Sequence, residues 1–256
     1  MVITLLGTGT SSGIPLIGCH CDVCRSLDYR DKRLRVSIYI ETQGKCFVID
    51  TGPDFRQQML RENIIKLDAV IFTHQHKDHT AGLDDVRAFN FLQNKDMPVF
   101  GRLQVLEQLK REFEYVFAEY RYPGIPRLQI HEITNTPFEV LGVPFMPIDV
   151  LHHRLPVFGF RIGNFAYLTD VNSISESEQQ KLLNLEVLVL GALQREPHIS
   201  HFTLQQAIDT VNILQPKVTY FTHLSHKMGR HAEVEKELPP HIKLGYDGLK
   251  IRLSET

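Results

Sequence analysis

No stretch of this chain approaches the roughly 20 apolar residues that a membrane-spanning helix needs. The start Met1-Val2-Ile3-Thr4-Leu5-Leu6-Gly7 carries neither a basic leader nor a cleavage site. Those absences argue against a membrane or secreted protein and make a cytoplasmic one the expectation. An excess of one charge is also missing, since 28 Lys and Arg stand against 30 Asp and Glu, a net charge of -2. Proteins that ride on long nucleic-acid backbones normally carry a strongly basic face, so near-neutrality argues against that class of partner. The segment Arg25, Arg30, Lys32, Arg33 and Arg35 is diluted by Asp28 and Asp31 and reads as a solvated loop. Cysteine is scarce, with four in 256 residues, and a disulfide framework is not expected in a cytosolic chain of this size. No low-complexity linker appears. With 43% apolar and 23% charged residues, the composition fits one folded domain over residues 1–256 with a substantial core.

Against that ordinary background stands His74-Gln75-His76-Lys77-Asp78-His79, directly after the apolar run Ala69-Val70-Ile71-Phe72 and Thr73. The run is β-branched and aromatic, so it predicts a buried strand ending at Thr73, with the histidines on the loop where it emerges. Loops at strand ends collect ligands and catalytic groups. Imidazole and carboxylate suit zinc, manganese and iron(II), and a turn lets His74 and His76 aim at one ion while Asp78 and His79 aim at another. A solvated His-rich turn is the bland alternative, and it weakens as further candidates appear.

Strand patterns fall at Val2 to Leu6, Val36 to Glu41, Cys46 to Ile49, Ala69 to Thr73 and Pro98 to Gly101. Helical spacing interleaves at Phe55 to Glu62, Thr80 to Phe91 and Leu103 to Phe113. A β-rich stretch follows Pro123-Gly124, with strands at 128–133, 138–141, 145–150, 158–162 and 166–168. Helices at Glu176 to Leu183 and Thr203 to Leu214 flank the apolar run Val187 to Leu190, and Val218 to Thr222 reads as a strand. At the ends of these later strands lie His152 and His153, Asp170 and His223. One such residue would be a hydrogen-bonded histidine or a turn aspartate; so many independent strand ends carrying His or Asp point to metal.

The residues His74-x-His76-x-Asp78-His79, with His152, Asp170 and His223, resemble the signature of the metallo-β-lactamase superfamily, and the likeness runs over nearly the whole chain. That resemblance implies an α/β fold, a four-layer αβ/βα sandwich of two mixed β-sheets with a dinuclear site in the cleft between sheet edges. It implies one divalent ion (Zn or Mn) on His74, His76 and His152, and a second on Asp78, His79 and His223, with Asp170 bridging. Asp50 in Val48-Ile49-Asp50-Thr51-Gly52 matches the family's first motif, an aspartate buried behind the ligands. The stretch Leu155-Pro156-Val157-Phe158-Gly159 resembles the phosphodiesterase branch and favours His152 over His153.

Cys19, Cys21 and Cys24 form C-x-C-x2-C, while Cys46 stands alone in a predicted strand. Three clustered thiols suggest a structural zinc short of one ligand, and His226, three residues after His223, completes a Cys3His set. Closure would pin the N-terminal loop of about residues 18–26 beside the active site. The arrangement is similar to that of the accessory phosphodiesterases of the carbon-phosphorus lyase pathway, whose relatives act on cyclic phosphodiesters of ribose.

The expected activity is therefore metal-dependent hydrolysis of a small phosphodiester, with Asp78 essential and His201 as proton donor to the leaving group. His198 and His153 are weaker candidates for that role, and a loop imidazole is the plain alternative. Other readings are a transfer-RNA 3′-processing endonuclease, for which no insertion rich in Lys, Arg and Gly is found, and a lactone or thioester hydrolase. The oxygen-reducing di-iron branch carries a carboxylate where this chain has His76. Gly9-Thr10-Ser11-Ser12-Gly13 fits a serine-hydrolase elbow only on paper, because Pro15 follows where a helix is required. Likewise Ser12 stands where a dinucleotide glycine loop beginning at Gly7 needs Gly. The aromatic segment Phe113, Tyr115, Phe117, Tyr120 and Tyr122 reads as packing, with a cleft wall or a homodimer contact as its functional alternatives.

Overall fold

Ala69, Val70 and Ile71 are all fully buried, which a strand achieves only when both of its faces are covered. They belong to a seven-stranded sheet in the computed structural model, which describes residues 1–119 and 123–254. Its strands are β1 (Val2–Gly7), β2 (Ser37–Thr42), β3 (Lys45–Ile49), β4 (Ala69–Ile71), β5 (Met97–Gly101), β6 (Leu128–Glu132) and β15 (Lys250–Arg252). They lie in the order β15-β1-β2-β3-β4-β5-β6, antiparallel from β15 to β3 and parallel from β3 to β6. The second sheet holds β7 (Phe138–Val140), β8 (Val143–His152), β9 (Leu155–Ile162), β10 (Phe165–Leu168), β11 (Ser173–Ile174), β12 (Val187–Gly191), β13 (Val218–Thr222) and β14 (Ile242–Leu244). Its order is β11-β8-β9-β10-β12-β13-β14, with β7 paired to β8 and parallel pairing from β10 onward through β12, β13 and β14.

Three apolar layers separate four layers of structure. Phe47 and Ile49 of β3 pack inward with Ile3 and Ile71 against Phe145, Phe160, Tyr167 and Val189 of the other sheet. The alternate residues Cys46 and Val48 face outward to Phe55, Phe89 and Leu106, on helices Phe55–Arg61, Arg87–Gln93 and Leu103–Glu112. On the far side, Ile148, Leu168 and Leu190 meet Ala207, Val211 and Leu214 of helix Leu204–Leu214. Each fully buried side chain of this kind contributes about 1.5–3 kcal/mol relative to exposure. The result is the αβ/βα sandwich of two mixed sheets that the sequence leads one to expect.

Several local expectations shift. In place of one helix over Thr80 to Phe91, a short helix Lys77–Thr80, a 3-10 turn Leu83–Val86 and helix Arg87–Gln93 follow one another. The break arises where Thr51-Gly52 presses against the chain: Gly82 N–H donates to Thr51 O at 2.8 Å, and a Cβ on Gly82 would lie 2.2 Å from Gly52 O. The strand expected over 145–150 runs longer, as β8, and ends on His152. The basic segment is not simply a solvated loop, because Arg33 is 4% exposed and Asp31 2%. The Arg33 guanidinium donates to Thr8 Oγ1 (2.7 Å) and Gly245 O (2.5 Å), and Asp31 accepts from His231 N–H (2.8 Å). Partners so remote in the chain leave no mark on local composition. Phe113 and Val116 join the outer core and Tyr115 donates to Asp84, in keeping with packing; Tyr120 and Tyr122 lie outside the described residues. Among the described residues no helix is long and apolar enough to cross a membrane.

Candidate metal centre

The seven expected ligands converge at the carboxyl ends of β4, β8, β10 and β13. One donor atom each from His74, His76 and His152 lie within 4.8 Å of one another, as do those of Asp78, His79 and His223. Asp170 sits between the halves: Oδ1 is 3.3 Å from both His79 Nε2 and His223 Nε2, and Oδ2 is 3.8 Å from His152 Nε2. His74 Nε2 and His76 Nδ1 stand 3.0 Å apart, and His79 Nε2 is 3.3 Å from Asp78 Oδ2. His153, by contrast, is exposed and donates its backbone N–H to Asn172 Oδ1 at 2.7 Å, and its side chain joins none of these groups.

A hydrogen-bonded frame sets the tautomers. Asp50, fully buried at the end of β3, accepts from Thr73 N–H (2.9 Å), Thr73 Oγ1 (2.7 Å) and His79 Nδ1 (2.7 Å). With the Thr73 hydroxyl proton given to Asp50, Thr73 Oγ1 can only accept from His74 Nδ1, 3.0 Å away. His152 Nδ1 likewise donates to Ser200 O at 2.9 Å. In the His74 and His152 rings the remaining Nε2 is left with a lone pair directed at the cluster. Thr73 and the Ser200 carbonyl escape sequence reading; the position of Thr73 between a buried strand and the first histidine is the one signal that marks it. Gly52 makes the frame possible, since a Cβ there would stand 2.2 Å from Asp78 O.

Electrostatics reinforce the geometry. Burial drives His74, His76 and His223 below the ordinary imidazole value, so all three are neutral at pH 7. For His79 burial acts the same way, but Asp170 and Asp50 outweigh it and hold the ring well above its usual value. Burial raises Asp78 and Asp170, yet both end well below the carboxylate range: Asp78 through the adjoining His79 ring, Asp170 through the charges of His223 and His79. A buried pocket this rich in carboxylate demands positive charge.

A pair of divalent cations meets that demand and fits the residues present. His79 Nε2 and both ring nitrogens of His223 are buried without a hydrogen-bond partner among the described residues. Leaving a buried polar atom unpaired costs about 1–3 kcal/mol, and coordination removes that cost for His79 Nε2 and for one of the two His223 nitrogens. His and carboxylate donors suit zinc or manganese.

His201 stands just ahead of helix Leu204–Leu214, whose start is fixed by a capping box between Thr203 and Gln206. Its ring stacks 4.7 Å from His223 and lies tilted 4.5 Å from His152, and Nε2 is 4.0 Å from Asp170 Oδ2. Burial, with His223 beside it, pushes His201 down to about 3, so the ring is neutral at pH 7. His198 is exposed, 5.2 Å from His201.

The second cluster is separate. His226 Nδ1 lies 3.3 Å from Cys19 Sγ, 3.4 Å from Cys21 Sγ and 3.6 Å from Cys24 Sγ. Tetrahedral zinc with its usual Zn–S and Zn–N lengths sets that edge at roughly 3.5 Å. The Cys24 backbone N–H lowers the Cys21 thiol to about 6 against burial, while burial pushes Cys24 up to about 11. Cys46, as expected, is buried alone in β3.

Residues 45–224 match the beta-lactamase superfamily domain, and with this sandwich and His/Asp cluster the chain belongs to the metallo-β-lactamase superfamily. A diphosphatase from the PhnP family, known from its crystal structure, is 40% identical and superposes with a TM-score of 0.92, covering 99% of this chain and 98% of that one. The octanoyltransferase of Porphyromonas gingivalis is 43% identical over 254 residues, 98% of this chain and 51% of that protein. Ribonuclease Z of Staphylococcus epidermidis is 24% identical over 159 residues, 60% of this chain and 47% of that protein. The chain thus spans about half the length of these two curated relatives.

Proposed function

We propose that this chain is a phosphodiesterase for small substrates, working with two divalent ions (Zn or Mn) on His74, His76, Asp78, His79, His152, Asp170 and His223, and a structural zinc on Cys19, Cys21, Cys24 and His226. The observation that carries the reading is the Asp170 carboxylate lying within 3.8 Å of donors from both halves of the cluster. When bound, such an ion pair supplies a water of lowered pKa and neutralises charge on a phosphoryl oxygen.

The chain's own residues do the rest. Asp50 fixes His79, Thr73 fixes His74 and the Ser200 carbonyl fixes His152, so the donors need little reorganisation when substrate enters. His201 is neutral in this state, and an anionic phosphoryl group beside it would raise its proton affinity and fit it to protonate a leaving alkoxide. The similarity to a diphosphatase over nearly the full length of both chains supports chemistry at phosphorus.

Transfer-RNA 3′ processing is the second reading, favoured by the likeness to ribonuclease Z. Net charge of -2 counts against it, because a polynucleotide substrate calls for a basic face. The octanoyltransferase name belongs to a protein half of which this chain does not match. A panel of cyclic ribose phosphates, aryl phosphodiesters, precursor transfer RNA, lactones and thioesters, run with zinc and with manganese, tests the assignment. We expect the highest kcat/KM on a small phosphodiester; preference for precursor RNA or for a carbonyl substrate would overturn it.

A further inference from the structure

Two buried aspartates serve the His/Asp cluster, and they are held differently. Asp50 is pinned by three donors, Thr73 N–H, Thr73 Oγ1 and His79 Nδ1. Asp170 faces both halves of the cluster, yet among the described residues no backbone N–H reaches its carboxylate. Besides the surrounding imidazoles, its donor is the Thr169 hydroxyl, 3.0 Å from Oδ1. The outer torsion of an aspartate is broad and has no steep staggered well, so a carboxylate without a latch can turn about its Cβ–Cγ bond. Such a turn would carry Oδ1 away from His79 and His223 and Oδ2 away from His152 at once.

Thr169 is placed to be that latch. It follows β10 directly, and both it and Asp170 are buried, closed to bulk solvent. A hydroxyl donating to an ionised carboxylate makes the stronger, charge-assisted kind of hydrogen bond. β12 runs tight against the same residue, because a Cβ on Gly191 would lie 1.7 Å from Thr169 O. The backbone that carries the hydroxyl therefore has little room to shift. Threonine at a strand end is not by itself the signal. Phe72-Thr73-His74, Leu168-Thr169-Asp170 and Phe221-Thr222-His223 repeat one pattern, but the Thr222 hydroxyl is buried without a hydrogen-bond partner among the described residues. What sets Thr169 apart is its bond to the one carboxylate that lies between the two halves.

We propose that Thr169 is a positioning residue, whose hydroxyl fixes the plane of the Asp170 carboxylate so that Oδ1 serves the Asp78, His79 and His223 half and Oδ2 the half that holds His152. The proposal rests on the dinuclear reading and deepens it. A packing role and a hydroxyl role make opposite demands on this side chain. Valine keeps the branched shape and drops the donor; serine keeps the donor and drops the methyl.

The test measures metal affinity by competition with a chelator in the wild type, in Thr169→Val and Thr169→Ser, and in Thr219→Val, the same change at a buried hydroxyl near the start of β13 that has no hydrogen-bond partner among the described residues. The expected result is affinity of the His/Asp cluster reduced about tenfold in Thr169→Val, close to wild type in Thr169→Ser and unchanged in Thr219→Val, with the metal of the cysteine cluster kept throughout. Wild-type affinity in Thr169→Val overturns the proposal. So does an equal loss in Thr169→Ser, which marks a packing role, or in Thr219→Val, which marks a general effect of the substitution. If Thr169→Val loses its thermal transition, Thr169→Ser and Thr169→Ala pose the same question, since they differ only by the hydroxyl; Ser must bind the metals more tightly than Ala, and equal affinities overturn the proposal. If the wild type itself takes up fewer than two ions at the His/Asp cluster, the dinuclear reading has failed; two ions with indifferent variants remove the role of Thr169 alone.

Discussion

Cys19, Cys21, Cys24 and His226 take three of four donors from six consecutive residues, whereas the His74 cluster gathers its donors from the ends of four strands between residues 74 and 223. The first is a loop closed by one distant histidine, and four donors at tetrahedral spacing leave a zinc no open position. The second depends on two sheets holding register, and its Asp170 carboxylate lies between donors from both halves of the cluster. One geometry suits holding a chain together and the other suits chemistry.

The sharpest way to break that contrast is Asp78→Ala. We expect hydrolysis to fall by about 10³-fold or more while the metal of the cysteine cluster and the thermal transition stay in place. Retained turnover, or loss of the cysteine-bound metal, would erase the distinction. His201→Ala comes next: about 100-fold slower turnover on diesters with poor leaving groups and much less on activated aryl diesters. An equal loss on both, read from a leaving-group series, would remove His201 as proton donor. Asp50→Asn keeps the shape but no longer holds the His79 ring as firmly, so metal affinity of the His/Asp cluster should drop about 10–100-fold by competition with a chelator. Cys21→Ser is the mildest for activity. It should release one zinc per chain and lower Tm by roughly 5 °C or more, with kcat changed less than about threefold; a loss of all metals together would mean the clusters are one system.

How much of this the sequence discloses follows from range. His74 to His79 and Cys19 to Cys24 are legible because their donors are neighbours, and the strands before them announce themselves by burial-prone runs. His152, Asp170 and His223 are legible as polar residues at strand ends. Thr73, the Ser200 carbonyl, and the pairing of Arg33 with Gly245 are not, because each acts through a backbone or hydroxyl group whose role is set by tertiary proximity. The short strands β14 and β15 also escape, since three residues at a sheet edge carry no periodicity. The helix break at Gly82 follows from contact with Gly52, thirty residues away in sequence.

The most direct measurement is anomalous diffraction at the zinc and manganese edges from crystals of the metal-loaded protein. The account predicts two peaks roughly 3.5–4 Å apart flanking the Asp170 carboxylate, and a third, zinc only, among Cys19, Cys21, Cys24 and His226. A single peak or none between His74 and His223 would contradict it.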